Sequence, residues 1–276
     1  MTALFRLLAW LPLGLLHAIG WALGWAVYLL SPTYRRRFDA HLEQAGLRRR
    51  QARGAVGQAG ALVTELPRLW FGRPVPVQWE GDAHIEQALA AGRGIVFLTP
   101  HLGSFEVTAQ AYAARYGARQ PMTVLFRPSR QPRLRVLVAS ARQRPGLAAA
   151  PTTMAGVKQL IKALRQGQSV GLLPDQVPPQ GLGVWAPFFG RAAYTMTLSA
   201  RLAQQTGAAV LVAWGERLPW GRGYRVHVQP LGRELPPDAL AAATVINHAM
   251  EQVIAACPQQ YLWGYARYKQ PRMEQL

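Results

Sequence analysis

From about residue 75 onward, short apolar segments alternate with stretches of helical length, and this alternation restricts the fold more than any other feature. The strand-like segments are 94–100, 122–128, 169–175, 209–217 and 224–231. The helix-like segments are 104–117, 129–143, 152–166, 194–206 and 237–256. Such alternation is typical of a sheet covered by helices. The sequence therefore predicts an α/β fold, with one domain built on a central mixed sheet.

The N-terminus carries a long apolar segment. Leu7 to Leu30 contains no charged residue and exceeds the roughly 20 residues that cross a bilayer core. No small-residue cleavage site follows it, which disfavours a secretory signal peptide. Arginines at 35–37 predict that the rest of the chain stays on the cytoplasmic side. We expect residues 1–33 to form a membrane-anchor helix and residues 34–276 a separate domain.

How that helix meets the membrane stays open at this level. Its length suits a crossing helix, whereas three glycines and His17 dilute its apolar character and suit a helix lying in one leaflet. A buried helix of a soluble fold is the third interpretation.

The charge balance limits the partners. Lys and Arg number 31 against 13 Asp and Glu, for a formal net charge of +18, which predicts an anionic partner. The apolar N-terminal segment favours acidic lipid over nucleic acid. The single cysteine, Cys257, excludes an intrachain disulfide, and the six histidines are scattered, so we expect no metal and no cofactor.

The segment "GIVFLTPHLGSFE", residues 94–106, is the clearest candidate for a site. His101 follows a strand, where the loops of α/β sheets bind ligands. Gly103 permits a turn and a helix that starts at about Ser104, which would return Glu106 towards His101. Glu106 would then orient the imidazole, whose other nitrogen would take a proton from a hydroxyl, and the Gly103 and Ser104 N–H groups would stabilise an oxyanion. The alternative is a buried histidine and a helix-start acid.

The scarcity of acids in the central region strengthens the first interpretation. Between Val107 and Gly215 the one carboxylate in the sequence is Asp175, against 13 Lys and Arg. Arg127 closes the strand "MTVLFR" on the side expected for His101, and a guanidinium there suits phosphate recognition. Asp175 in "LLPDQ" is either a turn residue or a second acid of the site.

Four segments, in order, resemble one family. "HLGSFE" resembles the H-x4-D/E motif of glycerolipid and lipid A acyltransferases, and "VLFRP" the arginine-bearing second block of that superfamily. The segment beginning "GLLPDQ" and the ending "PQQYLWGYARYK" are similar to the late acyltransferases of lipid A biosynthesis. With the N-terminal apolar helix, the resemblance covers nearly the whole chain.

The resemblance implies a membrane-bound enzyme on the cytoplasmic face of a bacterial inner membrane. It would move a fatty acyl chain from acyl carrier protein to a hydroxyl of a 3-hydroxyacyl chain on a phosphorylated lipid A precursor. By the same resemblance, His101 is the general base, Glu106 its orienting partner, Arg127 a phosphate ligand and Asp175 a residue of the site. An acyltransferase for another lipid acceptor, such as a lysophospholipid or aminolipid, and a non-enzymatic basic membrane-binding protein remain as alternatives.

Overall fold

A computed structural model describes residues 2–126 and 144–273. Its strands are β1 (Val77–Glu80), β2 (Ile95–Leu98), β3 (Met122–Phe126), β4 (Leu147–Pro151), β5 (Ser169–Leu172), β6 (Gly183–Phe188), β7 (Arg191–Met196), β8 (Ala209–Arg217) and β9 (Tyr224–Pro230). Its helices are α1 (Thr2–Leu8), α2 (Leu13–Leu30), α3 (Pro32–Gln44), α4 (Arg49–Ala52), α5 (Gly54–Thr64), α6 (Leu66–Phe71), α7 (Ala83–Ala90), α8 (Phe105–Tyr116), α9 (Met154–Arg165), α10 (Leu198–Thr206) and α11 (Ala239–Ala256).

Seven strands form one sheet in the order β1-β9-β8-β2-β5-β3-β4. All neighbours in it are parallel except β8 and β9, which are antiparallel, so the expected mixed sheet is confirmed. The central strands β2 and β5 are buried at every residue, as expected for strands covered on both faces. Apolar clusters on the two faces of the sheet form the core.

The five predicted strands correspond to β2, β3, β5, β8 and β9, whereas β1, β4, β6 and β7 were not predicted. The segment 194–206 was expected to be one helix, but its first residues complete β7, which pairs with β6 in a separate antiparallel hairpin, and the helix begins only at Leu198. Ala193, Tyr194 and Thr195 are all buried, so both faces of β7 are covered at these residues. The predicted helix 129–143 lies outside the described residues.

The apolar N-terminal helix packs closely along α5. A Cβ at Gly60 would overlap the Gly20 carbonyl, and one at Gly24 would overlap the Val56 carbonyl. Glycines at such positions let two helix backbones approach each other. The Thr64 hydroxyl adds a hydrogen bond of 2.7 Å to the Leu16 carbonyl. In the described part of the chain, α2 is also the one helix long and apolar enough to cross a membrane, with a mean hydropathy of 1.6 and 22% of its residues buried.

Candidate active site

His101 and Asp175 meet because two neighbouring parallel strands end together. Leu98 of β2 pairs with Leu172 of β5, and the two polar residues each lie three positions further along the chain. The His101 Nδ1 lies 2.8 Å from Asp175 Oδ1, and the His101 backbone N–H donates to Asp175 Oδ2 at 2.8 Å. Both carboxylate oxygens therefore hold this one residue.

The contacts of the imidazole define its tautomer. A carboxylate accepts hydrogen bonds, so Nδ1 carries the proton that is donated to Asp175. The other nitrogen, Nε2, then accepts a hydrogen bond of 2.9 Å from the Gln176 side-chain amide. Since the imidazole is 13% exposed and the Asp175 side chain 1%, Nε2 is a proton acceptor near the surface, backed by a buried anion.

The environment keeps Asp175 ionised. Burial alone would raise its pKa, but the attraction of His101, the two hydrogen bonds from His101 and the positive charge of Arg267 lower the pKa below its ordinary value. Arg267 is itself buried and donates to the Tyr194 carbonyl and to Thr195 Oγ1, both at 2.7 Å. Asp175 also contributes to raising the pKa of the buried Tyr261 phenol, after the larger effect of burial.

The C-terminal segment holds both loops of the site. The Gly103 N–H donates to the Gln260 carbonyl at 3.0 Å, and the Leu262 N–H donates to the His101 carbonyl at 3.1 Å. The Tyr265 hydroxyl accepts a hydrogen bond of 3.0 Å from the Val177 N–H, two residues beyond Asp175. We call residues 101–104 the histidine turn and residues 175–177 the aspartate loop. The segment that resembled the family's ending therefore fixes the histidine turn and the aspartate loop relative to each other.

The expected oxyanion role of Gly103 and Ser104 needs correction. Besides the Gly103 N–H, which bonds Gln260, the Ser104 N–H donates to the Gly215 carbonyl at 2.7 Å, so both groups already serve the fold. Both residues are buried, and Gly103 has a φ of +58° where a Cβ would overlap the Gly215 carbonyl. These two residues shape the turn that presents His101, and their N–H groups face protein.

A buried ion pair between Arg217 and Glu65 also contacts this turn. Arg217 Nε and Nη2 donate to the two carboxylate oxygens of Glu65 at 2.7 and 2.8 Å, and Nη2 also donates to the Gly103 carbonyl at 2.9 Å. His17 of α2 and the Tyr224 hydroxyl donate to Glu65 Oε2 at 3.1 and 2.9 Å. Burial opposes ionisation of Glu65, but Arg217 and His17 lower its pKa to about 2. This network connects the apolar N-terminal helix to the histidine turn.

Glu106 takes a different position from the one we expected. The site at Nδ1 of His101 belongs to Asp175, whereas Glu106, in the first turn of α8, accepts a hydrogen bond of 3.3 Å from the Trp70 indole. The physical reason is strand order: β5 lies beside β2, so the end of β5 brings its own carboxylate to the ring. Glu106 also contributes to the charge environment of Arg144, raising the pKa that burial lowers.

An apolar pocket opens beside the histidine. Phe105, whose ring centroid lies 5.0 Å from that of His101, forms part of its wall, together with Thr99 and Glu106. The remaining lining is mostly apolar and comes from β2, β3, β5 and the residues around them, including Phe97, Met122, Val124, Leu125, Phe126 and Leu172. The pocket reaches His101 through the Phe105 ring.

Arg127 lies outside the described residues, and its phosphate role stays a prediction. Within residues 2–126 and 144–273, no group of three or more His, Cys, Asp and Glu side chains is placed to hold a metal ion.

Sequence reasoning missed Gln176, Arg267 and the Glu65–Arg217 pair. Only Gln176, next to Asp175, had a local signal; the other partners are distant in sequence.

The comparisons with known proteins give acyltransferases. The family described as "Bacterial lipid A biosynthesis acyltransferase" matches residues 2–270. The lipid A biosynthesis lauroyltransferase of Escherichia coli (strain K12) is 28% identical over 76% of this chain and 68% of its own length, and the palmitoleoyltransferase of that strain is 27% identical over the same shares. A phosphatidylinositol mannoside acyltransferase of Mycobacterium tuberculosis is 27% identical over 66% of this chain and 56% of its own length.

Proposed function

The chain belongs to the bacterial lipid A biosynthesis acyltransferase family, and from its site geometry we propose that it transfers a fatty acyl chain from acyl carrier protein to a hydroxyl of a lipid A precursor. Its role as an acyltransferase of lipid A synthesis follows from the family. The donor, the mechanism and the acceptor hydroxyl are the proposed part. The observation that carries the mechanism is the His101–Asp175 pair, with Nε2 facing outward as a proton acceptor.

In the proposed reaction, the acceptor hydroxyl takes the place of the Gln176 amide at His101 Nε2. The imidazole removes the hydroxyl proton while the oxygen attacks the thioester carbonyl carbon, and Asp175 stabilises the imidazolium that forms. Collapse of the tetrahedral intermediate breaks the C–S bond, and the imidazolium returns its proton to the leaving thiolate. The ester forms, the free thiol of the carrier leaves, and no proton is gained or lost.

Two further features support the assignment of substrates. The apolar pocket beside Phe105 suits the acyl chain, and Glu106 in its wall stays a candidate catalytic residue. The excess of 31 basic over 13 acidic residues suits both an acidic carrier protein and a phosphorylated lipid. We place the enzyme on the cytoplasmic side of the inner membrane, as the resemblance to the lipid A acyltransferases implies.

Substitution of the base tests the mechanism. His101→Ala should abolish acyl transfer from acyl carrier protein to a phosphorylated lipid A precursor, because no other described group holds a proton-accepting nitrogen at this position. Product mass spectrometry measures the transfer, and circular dichroism shows whether the fold persists. His248→Ala, at an exposed histidine of α11, is the matched control and should retain activity. Transfer by the His101 variant at the parent rate would refute the mechanism.

A different acceptor is the second candidate, because one relative is named for a mannosylated inositol lipid. Mass spectrometry of lipids from a strain lacking the gene separates the two. Loss of one acyl chain from lipid A supports the proposal and gives the chain length. Unchanged lipid A with a change in a phospholipid or another glycolipid would show that the enzyme acylates that lipid instead.

A further inference from the structure

The outward side of α2 carries a continuous apolar stripe. Leu15, Ile19, Leu23 and Val27 recur every four residues and are each 41–53% exposed. This spacing places the four side chains on one side of a helix. No charged residue interrupts α2, and the opposite side packs against α5. The helix therefore has two apolar sides, one packed within the protein and one exposed.

Both ends of α2 are held by the same body of protein. At its N-terminal end, a Cβ at Gly14 would come within 3.0 Å of the Trp220 carbonyl, so the loop between β8 and β9 packs there. Near its C-terminal end, the Tyr28 hydroxyl donates to Asp39 of α3 at 2.9 Å. In its second turn, His17 bonds the buried Glu65. The 18 residues extend about 27 Å, close to the thickness of a bilayer core, and are attached to the domain throughout.

We propose that α2 lies along one leaflet of a lipid bilayer and does not cross it, with the stripe inserted among the acyl chains. Carrying the N-terminal end of α2 to the far side would break the contacts of Gly14 with Trp220 and of His17 with Glu65. Carrying the C-terminal end there would break the packing of Gly24 on Val56. The inference rests on the membrane association within the proposed function and adds its geometry. It also places the histidine turn near the leaflet, because Glu65 and Arg217 connect α2 to Gly103.

Basic and aromatic residues at both ends of α2 fit this placement. Arg73 lies 5.7 Å from the ring centroid of Trp10, and Arg53 lies 5.7 Å from that of Trp25. Such pairs suit the boundary between anionic head groups and acyl chains. On a crossing helix these two boundaries would lie on opposite faces of the membrane, whereas here both arginines belong to the same body of protein.

Trp220 extends the membrane-facing surface beyond α2. Its side chain is 93% exposed, and its backbone has a φ of 62°, in the left-handed region that residues with a Cβ rarely adopt. Gly221 follows it and packs against Gly14, so the loop is held at the N-terminal end of the helix. Arg222, beside it, is exposed. We assign Trp220 as a second point of insertion into the same leaflet.

Thiol labelling distinguishes lying from crossing. Single cysteines replace Arg6, before α2, and Thr33, after it; both positions are exposed. Spheroplasts and inverted membrane vesicles are treated with a membrane-impermeant maleimide. The parent chain gives the background, since burial raises the pKa of the Cys257 thiol to about 12. Labelling of both positions from the same side supports the proposal, and labelling from opposite sides overturns it, whichever side the domain occupies.

Depth measurements test the inserted face directly. Nitroxides at positions 15, 19, 23 and 27 of the full chain, bound to phosphatidylethanolamine–phosphatidylglycerol vesicles, should all lie within one leaflet. We expect positions 19 and 23 to be only a few ångströms deeper than 15 and 27, because each step of four residues turns the side chain by about 40°. A profile in which 19 and 23 reach the bilayer midplane would indicate a crossing helix and overturn the proposal. These readouts do not depend on acyl transfer, so a failure here is separable from a failure of the proposed reaction.

Trp220→Ser tests the second insertion point. Removing one inserted indole should weaken binding to the same vesicles about tenfold. The matched control is Met154→Ser, at a position on α9 that is 71% exposed and away from this surface, and it should bind like the parent. Equal affinity of the Trp220 variant and the parent would show that this loop does not insert into the membrane. Activity of the Trp220 variant on a detergent-dispersed acceptor should stay at the parent level.

Discussion

Two buried carboxylates hold the same turn of the chain and do different work. Asp175 holds His101 through the side chain and the backbone, and its partner is a partly exposed, titratable imidazole. Glu65 holds Arg217, a guanidinium that is 3% exposed and reaches the Gly103 carbonyl. The proposed mechanism gives Asp175 a chemical role, because its imidazole partner is partly exposed and can gain and lose a proton. Glu65 holds an enclosed permanent charge, and we expect it to serve the position of the turn.

The largest expected effect is on turnover, from Asp175→Asn. The amide keeps the shape but removes the negative charge that stabilises the imidazolium, and it disturbs the tautomer. We expect the turnover number to fall by about 10³–10⁴-fold, as for a neutralised acid of a catalytic triad. Steady-state kinetics with carrier-bound acyl donor measures this, with Glu106→Gln alongside it. A fall smaller than tenfold for Asp175→Asn would show that this carboxylate is structural.

Arg217→Met should lower the stability of the fold, whereas Asp175→Asn should lower turnover. It leaves the Glu65 carboxylate buried without its main counter-charge, which costs about 3–5 kcal/mol of the free energy of unfolding. Urea unfolding in detergent measures the cost. The double variant Glu65→Leu/Arg217→Met should recover part of it, because no unpaired charge remains. A cost below about 1 kcal/mol for the single variant would contradict the assigned role.

Acid should separate the two carboxylates further. The pKa of Glu65 is lowered from 4.5 to about 2, so its contribution to stability is complete above about pH 4.5 and is lost as the pH falls towards 2. Unfolding measured from pH 5 to pH 3 should show a smaller loss of stability in Glu65→Gln than in the parent. Part of the pH dependence of stability should remain in this variant, because the pKa of Asp175 is also lowered in the folded protein. Glu43→Gln, at an exposed position, is the control and should keep the parent slope.

The smallest effect is expected from Tyr224→Phe. This change removes one hydrogen bond of 2.9 Å to Glu65 but leaves the Arg217 pair in place. A hydrogen bond to a charged group is worth about 1.5–3 kcal/mol, and we expect a loss at the low end because His17 still donates to the same oxygen. Urea unfolding gives the loss, and turnover should stay within about twofold. A large fall in turnover would place this network in the chemistry.

Local pattern was enough for one half of the site. An apolar strand followed by Pro100–His101 and a glycine turn predicts a histidine at a strand end, and the structure places His101 just beyond β2. The same pattern predicted that Glu106 would complete the pair, since it is the nearest acid along the chain. Proximity in sequence was misleading, because the first turn of α8 directs that carboxylate to Trp70 and the pocket wall.

The other half depends on partners far apart in the chain. His101 and Asp175 are 74 positions apart, and Glu65 and Arg217 are 152 apart. Each contact depends on which strands lie side by side and on which helix covers them. Residue types and spacing along the chain do not contain that information, even where, as for Asp175, they mark a residue as unusual.

The sequence by itself determined the alternation of strands and helices, the strand-end histidine, the basic charge and an apolar helix at the N-terminus, because these properties depend on neighbours within a few positions. Tertiary structure alone decided which acid holds the histidine, why Gly103 and Ser104 serve the turn, and how α2 is attached along its length. Those outcomes depend on strand order and on the close approach of glycine-bearing helices. Both are set by the packing of the whole chain.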